Sequence, residues 1–222
     1  MSTSAIAIVS GGMDSVTLLH YLVKKLDLRP TVLTYVYGQK HTKEIEAAKY
    51  QSDLLGCTDH QIVDLSMLAP AFASSSLVSR DRAIPDIDEV QGDPQPATYV
   101  PNRNMIFLSI AAAFAETRGA SVIYYGAQAH DLYGYWDTTP DFLEHINHLL
   151  SLNRKNSIQI EAPLVHLPKV GVLRMGLELK VDYGNTWSCY EGNALACGRC
   201  PTCAERLKAF EEVGLKDPIA YT

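Results

Sequence analysis

Residues 5–19 read Ala-Ile-Ala-Ile-Val-Ser-Gly-Gly-Met-Asp-Ser-Val-Thr-Leu-Leu, a segment that divides into three parts. The uninterrupted apolar run at 5–9 is expected of a central parallel strand covered on both faces. Ser10, Gly11 and Gly12 end it. Asp14 and Ser15 are residue types that start helices, and Val16, Leu18, Leu19, Leu22 and Val23 recur at helical spacing behind them. A strand, a glycine turn and a helix start in this order point free backbone N–H groups and the positive end of a helix dipole at one spot. Phosphate oxygens suit that spot.

No lysine occurs before Lys24, which excludes a Walker loop ending in Gly-Lys-Ser or Gly-Lys-Thr; the Gly-x-Gly-x-x-Gly of dinucleotide folds is missing as well. In Ser-Gly-Gly-Met-Asp-Ser two hydroxyls replace the lysine as phosphate ligands, and the Asp14 carboxylate is available to Mg2+. The segment resembles the pyrophosphate loop (PP-loop) of N-type ATP pyrophosphatases. That resemblance implies ATP as a substrate, cut between its α and β phosphates with AMP passed to a substrate oxygen. It implies Val9, Ser10, Gly11, Gly12, Met13, Asp14 and Ser15 as the nucleotide-binding set.

A chain of 222 residues with a net charge of −6 is long enough for one sizeable core and carries no broad basic surface. A small-molecule substrate is expected, with no nucleic-acid partner. No apolar run approaches the roughly 20 residues that span a bilayer, so no membrane association is expected. The apolar run near the N-terminus is too short for a secretory signal. A cytoplasmic location follows, where disulfides are rare.

Strand and helix signals alternate along the chain: extended over 31–36, helical over 43–55 with Gly56 to stop it, extended again over 61–65. Without hairpin turns, this order predicts a parallel sheet with right-handed crossovers. From Pro70 to Pro101 the pattern lapses into serine, aspartate and proline, and reads as a lid or a mobile loop. Periodicity resumes as a helix over 103–117, a strand over 121–126, a helix over 140–152, an extended segment over 158–164 and a helix over 170–179. The fold expected is α/β, a Rossmann-like (adenine nucleotide alpha hydrolase-like) parallel sheet with helices on both faces. An ATP-binding domain over 1–180 precedes a small helical zinc-binding region over 181–222.

Cys189, Cys197, Cys200 and Cys203 carry that last expectation, the final three as C-x-x-C-x-x-C, while Cys57 stands apart. Two reverse-turn spacings and one longer loop let four thiolates converge on a tetrahedral Zn2+, whose closed shell makes the metal structural. The same spacing also fits an iron–sulfur cluster; zinc is favoured because nothing else in the sequence suggests redox chemistry. Cys57, after a helix-ending glycine, reads as a small buried hydrophobe.

With the loop at one end and the thiolates at the other, the chain resembles the 7-cyano-7-deazaguanine synthase family (QueC, also called ExsB) over essentially its whole length. The matching motifs are Ser-Gly-Gly-Met-Asp-Ser at 10–15, Tyr-Gly-Gln-Lys-His at 37–41 and Tyr-Val-Pro-Asn-Arg-Asn at 99–104. Thr-Trp-Ser-Cys-Tyr at 186–190 and Cys-Gly-Arg-Cys-Pro-Thr-Cys at 197–203, with Arg206, complete the set. The resemblance implies an ATP-dependent ligase of queuosine biosynthesis, acting on 7-carboxy-7-deazaguanine and free ammonia as a homodimer. The carboxylate is adenylated, ammonia forms the amide, and the amide is activated in turn and dehydrated to the nitrile. Asp14, Arg103 and Lys169 are carried over as catalytic positions; His41, Asn104, Asp131, Tyr135 and Asp137 are carried over as substrate contacts.

One segment departs from the family pattern. Where the family reads close to Asp-Tyr-Ser-Gly-Tyr-Pro-Asp-Cys-Arg-Pro, this chain reads Asp-Leu-Tyr-Gly-Tyr-Trp-Asp-Thr-Thr-Pro over 131–140, so Trp136 and Thr139 replace a proline and an arginine. Gly171 and Pro201 stand where an acidic residue is usual. The altered loop keeps open a related ligase that joins the deazapurine carboxylate to another amine, such as a protein terminus. An ATP-sensing zinc module without catalysis is the alternative of another class.

Overall fold

Five short strands form one fully parallel sheet in the computed structural model, which describes residues 4–128 and 135–222. β1 (Ala5–Ile8), β2 (Thr31–Val36), β3 (His60–Asp64), β4 (Val122–Tyr125) and β5 (Gln159–Glu161) lie in the order β3-β2-β1-β4-β5. The sheet therefore grows from β1 first to one side and then to the other. Strand order reverses between β1 and β4, and in such sheets the crevice beyond the carboxyl ends at the reversal is where ligands bind.

The central strands are apolar on both faces because both faces are covered. Beneath one face lie α1 (Met13–Lys24), α2 (Lys43–Leu54), α6 (Lys169–Glu178) and α7 (Pro201–Glu212), which bury Leu18, Ala48, Leu173 and Phe210 with Ala7 and Val32 of the sheet. Beneath the other lie α4 (Arg103–Arg118) and α5 (Pro140–Leu150), which bury Leu108 and Ile146 with Ile6, Leu33 and Ile123. Thr17, Leu18, Leu19, His20 and Leu22 of α1 are all fully buried. A helix hidden on every side needs cover on every side. The sheet, α2 and α6 provide it, and Gly176 of α6 lets the backbone come down on the Tyr183 hydroxyl, which hydrogen-bonds Thr17 at 2.7 Å.

Segment 70–101 is neither a loose loop nor a lid. A 3-10 turn over Ser66–Phe72 and the short helix α3 (Ile87–Val90) interrupt it, and Phe72, Leu77, Val78, Ile84, Val90 and Val100 are buried, all but Val90 in the core shared with α4. Its apolar residues are too widely spaced to show a period, and its prolines hide its order. The extended segment expected over 158–164 shortens to three residues of β5, with a turn closed by Val165 N donating to Ala162 O. The helical character expected over 181–222 lies in α7. Pro201 occupies its first position, where a missing N–H costs nothing, and Cys200 is the N-cap.

A buried ion pair binds the C-terminal residues to the rest. Arg206 on α7 donates to both carboxylate oxygens of Asp217, at 2.6 and 2.9 Å, and also to Thr186 Oγ1 and Tyr183 O. No helix among the described residues is long and apolar enough to cross a membrane.

Candidate active site

At the carboxyl ends of β1, β2 and β4 opens a cavity of about 260 Å³, lined by the loop after β1 and by side chains from α2, α4, α6 and the 187–206 segment. The loop is tied to itself. Ser10 N donates to Ser15 Oγ at 3.1 Å, the two hydroxyls lie 3.0 Å apart, and Ser15 Oγ donates to Gly12 O. Gly12 caps α1 without any side-chain bond, which leaves the first helical N–H groups turned to the cavity. Gly11 holds a φ of +93°, and a Cβ there would collide with the carbonyl oxygen of Glu44. Both facts demand glycine.

Across the loop stand its counter-charges. Lys169 Nζ lies 2.7 Å from Asp14 Oδ2 and 3.8 Å from Glu205 on α7. The other oxygen, Asp14 Oδ1, is buried and has no hydrogen-bond partner among the described residues. An orphaned carboxylate oxygen beside a phosphate loop fits a divalent cation. Arg103, at the first position of α4, points to Tyr37, with Nη1 3.3 Å from the phenol oxygen. Burial opposes its charge, but Tyr37, Tyr190 and Asp137 outweigh that and hold the guanidinium above its ordinary value. Tyr35 stacks on Phe107 at 4.1 Å and 13°, an aromatic wall for a planar ring.

The cysteines converge. Their four sulfurs all lie within 4.8 Å of one another, and Cys197 and Cys203 are 4.0 Å apart. A tetrahedral metal with Zn–S bonds near 2.3 Å requires sulfurs about 3.8 Å apart. Cys197 N donates to Cys189 Sγ and Cys200 N to Cys197 Sγ, each at 3.3 Å, bonds that stabilise thiolates. Donation from Cys200 and Cys203 holds the Cys189 thiol far below its usual range, and donating to Cys189 pushes Cys200 up to about 12, against the pull of Cys203. Four thiols packed this closely cannot all ionise without a cation among them, so the donor set fits a metal ion.

This cluster also shapes the cavity. Trp187 N donates to Gly11 O at 3.0 Å, Trp187 Nε1 to Cys189 O at 3.0 Å, and Thr202 Oγ1 to Ser188 O at 2.7 Å. Trp187, Ser188 and Tyr190 thereby form a wall of the ATP-loop cavity, set in place by the cysteines around them.

Of the residues singled out from the sequence, Val9, Ser10, Gly12, Met13, Asp14, Ser15, His41, Arg103, Asn104, Tyr135 and Lys169 line the cavity. Gly11 lies behind the loop. Asp137 sits beneath the lining, 3% exposed, where its carboxylate accepts from Asn104 N at 3.3 Å and its carbonyl oxygen from Asn104 Nδ2 at 3.4 Å. Asp131 falls outside the described residues. Thr139 caps α5 by accepting from Phe142 N, and Trp136 donates to Tyr99 OH, so both departures from the family pattern hold local structure. Sequence reasoning missed Glu44, Gln39, Gln128 and Glu205 as cavity residues, and named Arg206 only within a family motif. Gln39 lay inside a quoted motif, and Glu44 three residues past it was read only as part of a helix.

A sequence profile for the queuosine biosynthesis protein QueC matches residues 4–214. The chain belongs to the QueC family. Its relatives include the 7-cyano-7-deazaguanine synthase of Caldicellulosiruptor bescii, 45% identical over 217 residues, which cover 98% of this chain and 96% of that one. The synthase of Psychromonas ingrahamii is 42% identical over 225 residues, covering 100% and 99%. Among solved structures, the U34-tRNA thiolase NcsA of Methanococcus maripaludis, described with its [4Fe-4S] cluster, superposes with a TM-score of 0.52 at 15% identity. That alignment covers 96% of this chain and 67% of the thiolase, and it speaks for the fold alone. QueC membership makes this chain an enzyme acting on a small molecule. The PP-loop lines its cavity, and Trp187, Ser188, Tyr190 and Thr202, beside the cysteines, form part of the wall.

Proposed function

We propose that this chain is a 7-cyano-7-deazaguanine synthase: an ATP-dependent ligase that converts 7-carboxy-7-deazaguanine and ammonia to the nitrile through adenylated carboxylate and amide intermediates. The observation that carries the reading is the Ser10–Ser15 loop, with Asp14 in it, facing Lys169 and Arg103 across a single cavity, in a chain alignable end to end with relatives of that name.

The chemical obstacle is the leaving group, since a carboxylate oxygen departs as oxide only with great reluctance. Transfer of AMP to that oxygen gives a mixed anhydride that ammonia attacks, with AMP expelled. The amide oxygen, adenylated in turn, leaves the same way as the nitrile forms. One site serves both steps because both need the same placement and the same charge stabilisation. The N–H groups at the start of α1, with the Ser10 and Ser15 hydroxyls, would receive the departing pyrophosphate. Asp14 would hold Mg2+, which supplies charge neutralisation at the phosphates. Lys169 and Arg103 would meet phosphate oxygens, and Tyr35 with Phe107 would face a planar ring.

The cysteines would hold a structural Zn2+, since four thiolates close its shell and leave no open position for chemistry. The division into an ATP-binding unit over 1–180 and a metal-binding unit over 181–222, the homodimer and the cytoplasmic location belong to the same reading. Neither the other-amine ligase nor the ATP sensor gains support from the relatives.

Incubation with ATP, Mg2+, ammonia and 7-carboxy-7-deazaguanine, followed by mass spectrometry, tests the reading. The nitrile is expected. Accumulation of amide alone, or no product from folded and metal-loaded protein, contradicts it.

A further inference from the structure

Adenylation chemistry leaves the Glu44 carboxylate of the cavity unused. Glu44, the second residue of α2, lines the cavity beside the PP-loop, with its own carbonyl against Gly11. Gln39 fixes its side chain: Nε2 donates to Glu44 Oε1 at 3.0 Å and to Tyr35 O at 3.2 Å, while Gln39 Oε1 accepts from Tyr37 N at 2.7 Å. One oxygen of Glu44 is thus held by a neutral donor whose own position is anchored twice on the backbone. Among the described residues no lysine or arginine reaches it as an ion pair. Asp14, by contrast, is committed to Lys169.

The surroundings are largely ring and hydrocarbon, with Tyr35, Tyr37, Leu77 and Phe107 in the same cavity. A carboxylate placed there without an ion-paired lysine or arginine among the described residues is a site for a small cation, and ammonium is the one this reaction brings. We propose that Glu44 takes a proton from ammonium, so that the nitrogen nucleophile meets the activated carboxyl as neutral ammonia. This deepens the synthase reading and rests on it.

The step balances as follows. A proton passes from the ammonium nitrogen to a Glu44 carboxylate oxygen. The nitrogen lone pair so released forms the C–N bond, the bond from the acyl carbon to the AMP oxygen breaks, and AMP leaves with that pair. The surplus proton on nitrogen goes to water, as does the proton on Glu44, which resets the site. Burial pushes the Glu44 carboxyl up to about 7, against the opposing pull of Gln39 and Arg103. The charged and titratable groups around it are Arg103 from α4, Tyr37 after β2, and Lys40 and His41 on its own side, with Asp14 and Lys169 on the loop side.

The test compares wild type with Glu44→Gln in three reactions. Exchange of pyrophosphate into ATP, dependent on 7-carboxy-7-deazaguanine and run without amine, is expected to survive the substitution and certifies a folded, adenylating protein. Amide formation from ammonium near neutral pH is expected to fall at least about 100-fold in the variant. Hydroxamate formation from hydroxylamine, which is largely unprotonated at that pH, is expected to stay within a few-fold of wild type. Equal losses with both amines, or no loss with ammonium, overturn the inference. Absence of exchange by wild type overturns the synthase reading, and this inference with it. Should the variant fail to fold, the wild-type profile at fixed total ammonium decides. With Glu44 as base the rate levels off above about pH 7, whereas direct capture of free ammonia keeps it climbing about tenfold per unit.

Discussion

Lys169 Nζ sits 2.7 Å from Asp14 Oδ2 while Asp14 Oδ1 is buried without a hydrogen-bond partner among the described residues, so the carboxylate of the PP-loop is half committed to a cation from the protein. On the proposed reaction, the other oxygen would take Mg2+. Asp14→Asn keeps the shape and removes the charge. Substrate-dependent AMP formation is expected to fall by about 100-fold or more, and added Mg2+ is expected not to restore it. Unchanged AMP formation by the variant removes Asp14 from the mechanism.

The cysteine cluster supports the wall made by Trp187 and Ser188, so metal loss and nucleotide loss are expected together. Cys200→Ser is expected to lower zinc content, measured by atomic emission, and to lower the melting temperature and solubility with it. Full metal loading in that variant contradicts the four-thiolate assignment, and iron in place of zinc contradicts the choice of metal.

Arg206 and Asp217 are each 1% exposed and paired through two bonds. Breaking such a pair from one side leaves an uncompensated buried charge, so Asp217→Asn is expected to cost about 3–5 kcal/mol in urea unfolding. Because Arg206 also donates to Thr186 and to Tyr183 O, just before Trp187, nucleotide affinity is expected to weaken with stability. A variant as stable as wild type shows the pair to be dispensable.

His20 is fully buried in α1 and bonded to Gln51 at 2.9 Å, and burial holds its imidazole below the ordinary 6.5. For a base with a depressed folded pKa, the unfolded chain binds more protons between the two values. Its contribution is therefore complete above the unfolded pKa and is lost as pH falls below 6.5 toward the folded value. His41 and His60 shift the same way, whereas Glu44 shifts oppositely, so the informative quantity is a difference. Between about pH 7.5 and about pH 5.5, the melting temperature of His20→Gln is expected to decline less than that of wild type. Parallel declines rule His20 out as a contributor.

Elements that follow from local pattern were legible in the sequence. The apolar run of β1, the glycines and the periodic face of α1 each announce themselves within fifteen residues, and the cysteine spacing names its own geometry. The unread parts depend on partners distant in the chain. Glu44 looks like any charged residue of α2 until Gln39 and the Gly11 turn close around it. Asp217 looks like a surface charge until α7 and the C-terminal residues bury it with Arg206, whose motif gives no hint of that partner. Segment 70–101 buries Phe72 and Val100 at intervals that match neither a strand nor a helix, which is why it read as a loop. Asn104 and Asp137 were both singled out, but only their contact shows that one lines the cavity and the other holds it in place.

The central claim is that AMP passes from ATP to an oxygen of the substrate carboxylate. Turnover of 7-carboxy-7-deazaguanine labelled with oxygen-18 in its carboxylate, with mass analysis of the nucleotide released, tests it most directly. The account predicts labelled AMP together with unlabelled pyrophosphate. Unlabelled AMP, or ADP in its place, contradicts it.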